Sequence, residues 1–397
     1  MTKSLRDFRL QANPEYELVL LDRLPEAEQQ TLQGLKGDPE CYGILRPRNS
    51  GNLTIKAASR DAALLFFTLQ NPGPLPRYVE TSLGQECDRT IAQMVLDGIL
   101  EIEADGVMLS GPAAHAHICD DQPFVEQESF LAALSRRALQ YAETLAVTEA
   151  SLLSHRLYSY NRLPASPRWR QLLPDKDAVE RHLGVDEGAA GRLLSRNWTR
   201  IPSSPQQPWL AWQSHRAPAI TEPGPTYKLY VSPACSELPE AFQAIAAVAA
   251  TSPFHHFKVG SDVYGLLRPD KMVLYFHHLA DLQETGERIM QELSECPAHG
   301  VPFTAELAGN GLLSWGIDPP AEKHTVPWLE RESWRLWIAN RLAAALIVAR
   351  NSGNTDIPPW RFALERLRLE GVETQTWTPS RTLAWAESIP GESYGTN

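Results

Sequence analysis

The stretch "FHHFKVGSDVYGLLRPDKMVLYFHH", residues 254–278, reads as two buried β-strands joined by a short loop. Its apolar positions suit that reading. Lys258, Arg268 and Lys271 do not, because they sit in or beside strands where a sheet usually carries valine or isoleucine. Either these cations face water or they gather around something anionic. "YKLYVSP" (227–233) is a further strand and adds Lys228. Several cations brought together bind phosphate well, because charge-assisted hydrogen bonds are strong and an arginine can hold two oxygens at once. Crowding also lowers a lysine's pKa, so that a neutral amine can act as a base. A β-elimination needs both: a base for the Cα proton and cations for the departing phosphate. For each lysine the competing reading is a solvated strand face.

Outward from this stretch, residues 226–350 alternate between strands and helices. "LPEAFQAIAAVAATS" (238–252) and "DLQETGERIMQELSEC" (281–296) are expected as helices. "GVPFTAEL" (300–307) is a strand or loop, and "GLLSWGIDPP" (311–320) a turn-rich segment. The segment 301–320 is a candidate active-site loop, with Trp315 as a wall and Glu306 or Asp318 to position lysines; the competing reading is a packed connector. "SWRLWIANRLAAALIVARN" (333–351) is a long helix with Arg335 near its start, and 357–372 is one more helix. The final "GESYGTN" is expected to be disordered.

Residues 1–112 form a separate unit. "CYGILRPRNSGNLTIKAAS" (41–59) reads as a β-hairpin, and Ser59 as the N-cap of a helix that stops before Pro72-Gly73. Two helices follow over 75–100, and "ILEIEADGVMLSG" (99–111) reads as strand, Asp-Gly turn, strand. A hairpin, three helices and a β-wing is the order of a winged-helix-like domain. Residues 113–225 are expected as a helical, proline- and tryptophan-rich connecting region, with "LLSRNWTRIPSSPQQPWLAWQSH" (193–215) as a covering loop or ordered connector. Residues 226–390 make an α/β domain with a mixed or antiparallel sheet, so the whole is α+β.

Composition narrows the function. The 397 residues carry 48 acidic and 37 basic side chains, a net charge of -11. That disfavours nucleic acid and anionic membrane as partners, and an anion site must be a local cluster. The five cysteines are scattered without CxxC spacing, which suggests reduced thiols in a cytoplasmic protein, with neither disulfide framework nor zinc site. Neither His255-His256 nor His277-His278 can chelate a metal alone, since neighbours on a strand face opposite sides. No signal peptide is visible, and the apolar run at 336–349 is broken by Asn340 and Arg341.

The order "YKLYVSP… FKV… YGLLRPDKMVLYF… VPFTAELAGNGLLSWGIDPP… SWRLWIANRLAAAL" resembles a bacterial type III effector family. Relatives of that family are lyases of class V lanthipeptide and thioamitide biosynthesis. More distantly the pattern resembles phosphothreonine lyases. The resemblance implies Lys258 as general base, Lys228 as stabiliser of the enolate or phosphate, and Arg268 and Lys271 as phosphate binders. Arg335 is a lesser phosphate candidate. Tyr230 falls where phosphothreonine lyases place a histidine acid, so proton donation there would pass to a weaker acid. No metal or organic cofactor is implied. Residues 43 to about 103 resemble a PqqD-like element that binds leader peptides by adding a strand to a hairpin edge. The competing readings for that unit are packing or DNA binding. Together the two resemblances imply a lyase acting on phosphoserine or phosphothreonine of a precursor peptide, with a separate kinase as partner. A non-catalytic leader- or phosphopeptide-binding protein is the alternative.

Overall fold

The computed structural model describes residues 4–5, 7–32, 35, 41–49, 55–120, 128–186, 188–202, 208–215, 225–252, 254–319, 332–353, 356–380 and 383. The chain runs β1 (Arg9–Ala12), β2 (Tyr16–Val19), α1 (Glu26–Thr31), β3 (Cys41–Pro47), β4 (Lys56–Ser59), α2 (Arg60–Thr68), β5 (Gly73–Pro74), α3 (Arg77–Leu83), α4 (Cys87–Leu96), β6 (Leu100–Ala104), β7 (Val107–Leu109) and α5 (His115–Ile118). It continues through α6 (Phe130–Thr144), α7 (Ala150–Tyr158), α8 (Pro167–Leu172), α9 (Lys176–Leu183), α10 (Ala189–Asn197), β8 (Trp198–Ile201) and β9 (Trp209–Ser214). The last elements are β10 (Thr226–Val231), α11 (Leu238–Ala249), β11 (His256–Gly260), α12 (Val263–Leu266), β12 (Met272–Phe276), α13 (Leu279–Glu292), β13 (Ala305–Glu306), β14 (Leu313–Asp318), α14 (Trp334–Asn351), α15 (Pro359–Leu369), β15 (Val372–Glu373) and β16 (Thr378–Pro379). Helices and antiparallel sheets together make the fold α+β.

Residues 254–278 form the adjacent central strands β11 and β12, with the short α12 between them. They belong to a seven-stranded sheet of order β13-β14-β10-β12-β11-β9-β8, antiparallel throughout. Three of its members were not expected as strands. The supposed covering loop at 193–215 ends α10 and then supplies β8 and β9, within the segment expected to be a connector. The turn-rich segment at 311–320 supplies β14, paired with β10 from Thr226↔Asp318 to Val231↔Leu313. Its glycine has a steric reason: a Cβ on Gly316 would lie 2.3 Å from the Trp334 indole.

Alternation along the strands separates two faces. On one, Trp212 stacks on Phe257 at 4.9 Å, and Phe242 of α11 packs against both. Trp198 and Phe254 close the same cluster. Burying such aromatics supplies much of a core's stability. The opposite face meets the start of α14, where Trp334 Nε1 donates to Phe303 O at 3.0 Å and its backbone N–H to Asp318 Oδ1 at 2.9 Å.

From residue 41 the elements run in the expected order, but β1, β2 and α1 come before them and β2 pairs with β3 to make the hairpin a three-stranded sheet. Ser59 caps α2 by accepting from the Ala62 N–H at 3.2 Å. Asp105 and Gly106, both at positive φ, turn β6 into β7. The β3–β4 turn at 50–54 and the final "GESYGTN" lie outside the described residues. Two further strands, β1 and β5, extend the β6–β7 pair into a four-stranded sheet. No helix among the described residues is long and apolar enough to cross a membrane.

Candidate active site on the cationic face of the sheet

Register places Lys258 opposite Val273, and Val273 opposite Tyr230. One pair further along, His256 faces Tyr275, which faces Lys228. Opposed residues share a face, so Lys228, Tyr230, His256, Lys258, Val273 and Tyr275 all project from the side opposite the aromatic core. Asp318 and Trp209 join them through their pairs with Thr226 and Gly260.

Lys258 is the centre of this group. Its Nζ lies 4.3 Å from the Trp209 ring centroid and 5.5 Å from that of Tyr275. It makes no hydrogen bond or ion pair among the described residues. Burial pushes its pKa down to about 8, the Lys228 charge adds to the fall, and Asp270 opposes it. Lys228 is ion-paired with Asp318 and lies 5.3 Å above the same Tyr275 ring. Asp318 therefore positions a lysine, as expected. Glu306 does not: its Oε2 accepts from the Leu131 N–H at 3.2 Å. Trp315 is no wall to this site, for it projects from the aromatic face and packs against Tyr227 at 6.4 Å.

Arg268 completes the cluster from the loop before β12. Its Nε and Nη2 grip Asp270 Oδ1 and Oδ2 at 2.8 and 2.9 Å, and its guanidinium lies 5.1 Å from the Trp209 ring. Nη1 has no partner among the described residues, so one edge of the fork is open. Asp270 is the hub that fixes it. Burial would raise this carboxyl's pKa, but the Arg335 charge and the Arg268 hydrogen bonds outweigh burial and hold it well below the usual range. Tyr158, from the end of α7, bonds both partners: Arg268 Nη2 at 3.1 Å and Asp270 Oδ2 at 3.3 Å.

Two expected phosphate binders are otherwise engaged. Arg335 is 1% exposed, pairs with Asp270 at 2.9 Å, and donates to Pro302 O and Tyr158 O. It braces Asp270 and offers no open edge. Lys271 is fully buried, donates to Pro233 O at 2.8 Å and bonds His299 Nδ1 at 2.7 Å. Its Nζ holds the segment around 233 to that around 299. Tyr230 lies within the face, and burial, followed by the Asp318 charge, raises its hydroxyl pKa well above the ordinary value. A phenol in that state gives up its proton less readily than free tyrosine.

Sequence reasoning named Lys258, Lys228 and Arg268, and the fold brings these together. It missed the roles of Asp270, Tyr158, Trp209, Tyr275 and His256. Asp270 had a local signal, standing two positions after Arg268 in "RPDK". Tyr158 had none, since it lies 112 residues from its partner. His256 is held neutral at pH 7: burial, then the Lys258 and Lys228 charges, pushes its pKa down to about 4.

No family model matches the chain, and no curated protein does. Solved structures show distant similarity. An effector protein from Pseudomonas syringae pv. tomato strain DC3000 is 14% identical, covering 63% of this chain and 98% of its own, at a TM-score of 0.39. The phosphothreonine lyase effector VirA of Chromobacterium violaceum is 15% identical over 30% of this chain and 65% of its own, at 0.27. The Salmonella phosphothreonine lyase SpvC is 14% identical over 52% and 96%, also at 0.27. At TM-scores below 0.5 these likenesses decide neither fold nor chemistry.

Proposed function

We propose that the cationic face eliminates phosphate from phosphoserine or phosphothreonine in a peptide, leaving dehydroalanine or dehydrobutyrine. The observation that carries this is Lys258: an amine without a hydrogen bond among the described residues, near two aromatic rings and beside two other cations. Neutral Lys258 takes the Cα proton. Lys228 stabilises the negative charge that develops as that proton leaves. The Cα–Cβ double bond forms, the Cβ–O bond breaks, and phosphate departs toward the open edge of Arg268. Tyr230 is a poor donor in this setting, so phosphate leaves as the anion, balanced by the cations.

The peptide is a ribosomal precursor of lanthipeptide type, phosphorylated by a separate kinase. Support for peptide docking comes from the first hundred residues. β4 is an edge of the β2-β3-β4 sheet; Ile55 immediately before it and Leu64 on the following helix α2 are large apolar side chains left exposed. A leader held there raises the concentration of the core peptide at the lyase face. The second reading, a non-catalytic leader- or phosphopeptide-binding partner of a modifying enzyme, is favoured by the raised Tyr230 pKa.

Incubation with a phosphoserine precursor peptide separates the two. Elimination removes about 98 Da per site, the mass of phosphoric acid, and Lys258→Ala abolishes the loss. Binding at unchanged mass supports the partner protein and refutes the lyase.

A further inference from the structure

We propose that His115, Cys119 and Glu365 form a site for a divalent transition-metal ion of zinc type. His115 and Cys119 stand four residues apart across the turn of α5, closed by the Cys119 N–H to His115 O bond of 2.8 Å. That spacing puts imidazole and thiol on one side of the turn. Glu365 reaches them from α15. One ligand atom from each residue lies within 4.8 Å of the other two. Around a tetrahedral zinc, with metal–ligand bonds of about 2.0–2.3 Å, ligand atoms stand about 3.5 Å apart, so the three need to close by roughly an ångström.

The donor set has the right chemistry. Imidazole, thiolate and carboxylate are the three protein ligands that zinc takes. Histidine and cysteine are 8% and 3% exposed, so the ion would be screened from competing solvent on that side. Arg368 orients the carboxylate: its Nε donates to Oε2 at 2.9 Å, and its Nη2 is ion-paired with the same oxygen at 2.8 Å. The other oxygen, Oε1, has no partner among the described residues. An outer residue that fixes a ligand in this way tunes the metal's affinity.

One of the three ligands also borders a cavity. Glu365 and Arg368 line a cavity of about 600 Å³, together with Glu306 and Trp377. Two polar atoms of that wall, Glu306 Oε1 and Trp377 Nε1, are buried with no hydrogen-bond partner among the described residues. Trp377 itself is 2% exposed. Unsatisfied polar groups in a cavity wall suit a bound water or small polar ligand. With three protein donors the metal keeps a fourth position for water or a small ligand. On binding, the Cys119 thiol proton passes to solvent as the sulfur–metal bond forms, so affinity falls with falling pH.

None of this depends on the lyase reading, and the test reads metal directly. The full chain, stripped of metal, is titrated with zinc and with cobalt(II). The expected result is one ion per chain, with a thiolate-to-cobalt charge-transfer band and the strong visible bands of tetrahedral cobalt. Cys119→Ser abolishes the charge-transfer band, His115→Gln weakens zinc binding by at least about tenfold, and Arg368→Met does so by about tenfold. The proposal is overturned if the wild-type chain retains no zinc, or if its cobalt complex lacks the thiolate band. It is equally overturned if folded Cys119→Ser binds as the wild type does. Should a variant fail to fold, the wild-type cobalt spectrum decides alone.

Discussion

On one face of the seven-stranded sheet Trp212 stacks on Phe257 within an aromatic cluster; one residue along the same strands, Lys258 and Lys228 crowd together over Tyr275. The first face stabilises the fold, and the second is held in place by it at a cost in desolvation. A sharper contrast lies between Lys258 and Lys271. Burial pushes both amines down to about 8. Lys271 uses its hydrogen-bonding capacity on Pro233 and His299, whereas Lys258 has no hydrogen bond among the described residues and lies against aromatic faces. A lowered pKa therefore does not by itself mark a base; an available nitrogen does.

The largest expected effect tests that distinction. Lys258→Ala lowers elimination by about 10²–10⁴-fold, measured as the rate of phosphate loss by mass spectrometry. Lys271→Met leaves the rate within about tenfold but destabilises the chain by roughly 1–3 kcal/mol in urea, because it strands two buried partners. If Lys271→Met abolishes turnover in a folded protein, the contrast is wrong.

Next is the brace. Asp270→Asn weakens the pairing of one buried and one half-buried guanidinium and is expected to cost about 3–5 kcal/mol, read from the denaturant midpoint. Lys228→Met should slow elimination by about 10²–10³-fold with little loss of peptide binding, since it acts on charge that develops only during reaction. Comparable losses in binding affinity and rate would move Lys228 from stabilising the reaction to holding the ground state.

pH dependence gives a smaller signal with a fixed sign. Catalysis through neutral Lys258 rises with pH through about 8, so kcat/KM should climb there and level off. Stability changes in the same direction. The folded state disfavours the charged amine, so the cost is fully present below about 8 and disappears as pH approaches the ordinary 10.5. Wild-type chain should therefore gain stability relative to Lys258→Met between those values. The smallest expected effect is at His256. Neutral already at pH 7, it should tolerate glutamine with less than about a tenfold change in rate. A larger loss would give it a proton-transfer role that its low pKa argues against.

The sequence by itself determined the strands at 254–278, the helix caps and the positions of Lys228 and Lys258. These follow from local rules: period-two alternation, turn residues, and a serine that accepts from a helix N–H. Alternation even fixes which residues can share a face, once strands are paired. Only the tertiary structure decided what each charge does. Arg335 and Lys271 looked like phosphate binders because a sequence shows cations but not their partners. Asp270 captures one of them, and His299 with Pro233 captures the other, across separations set by the fold. β8, β9 and β14 were hidden for a related reason: proline, glycine and tryptophan read locally as loop, and pairing with a neighbouring strand outweighs that preference. Trp209, which covers Lys258, came into the site with one of those hidden strands.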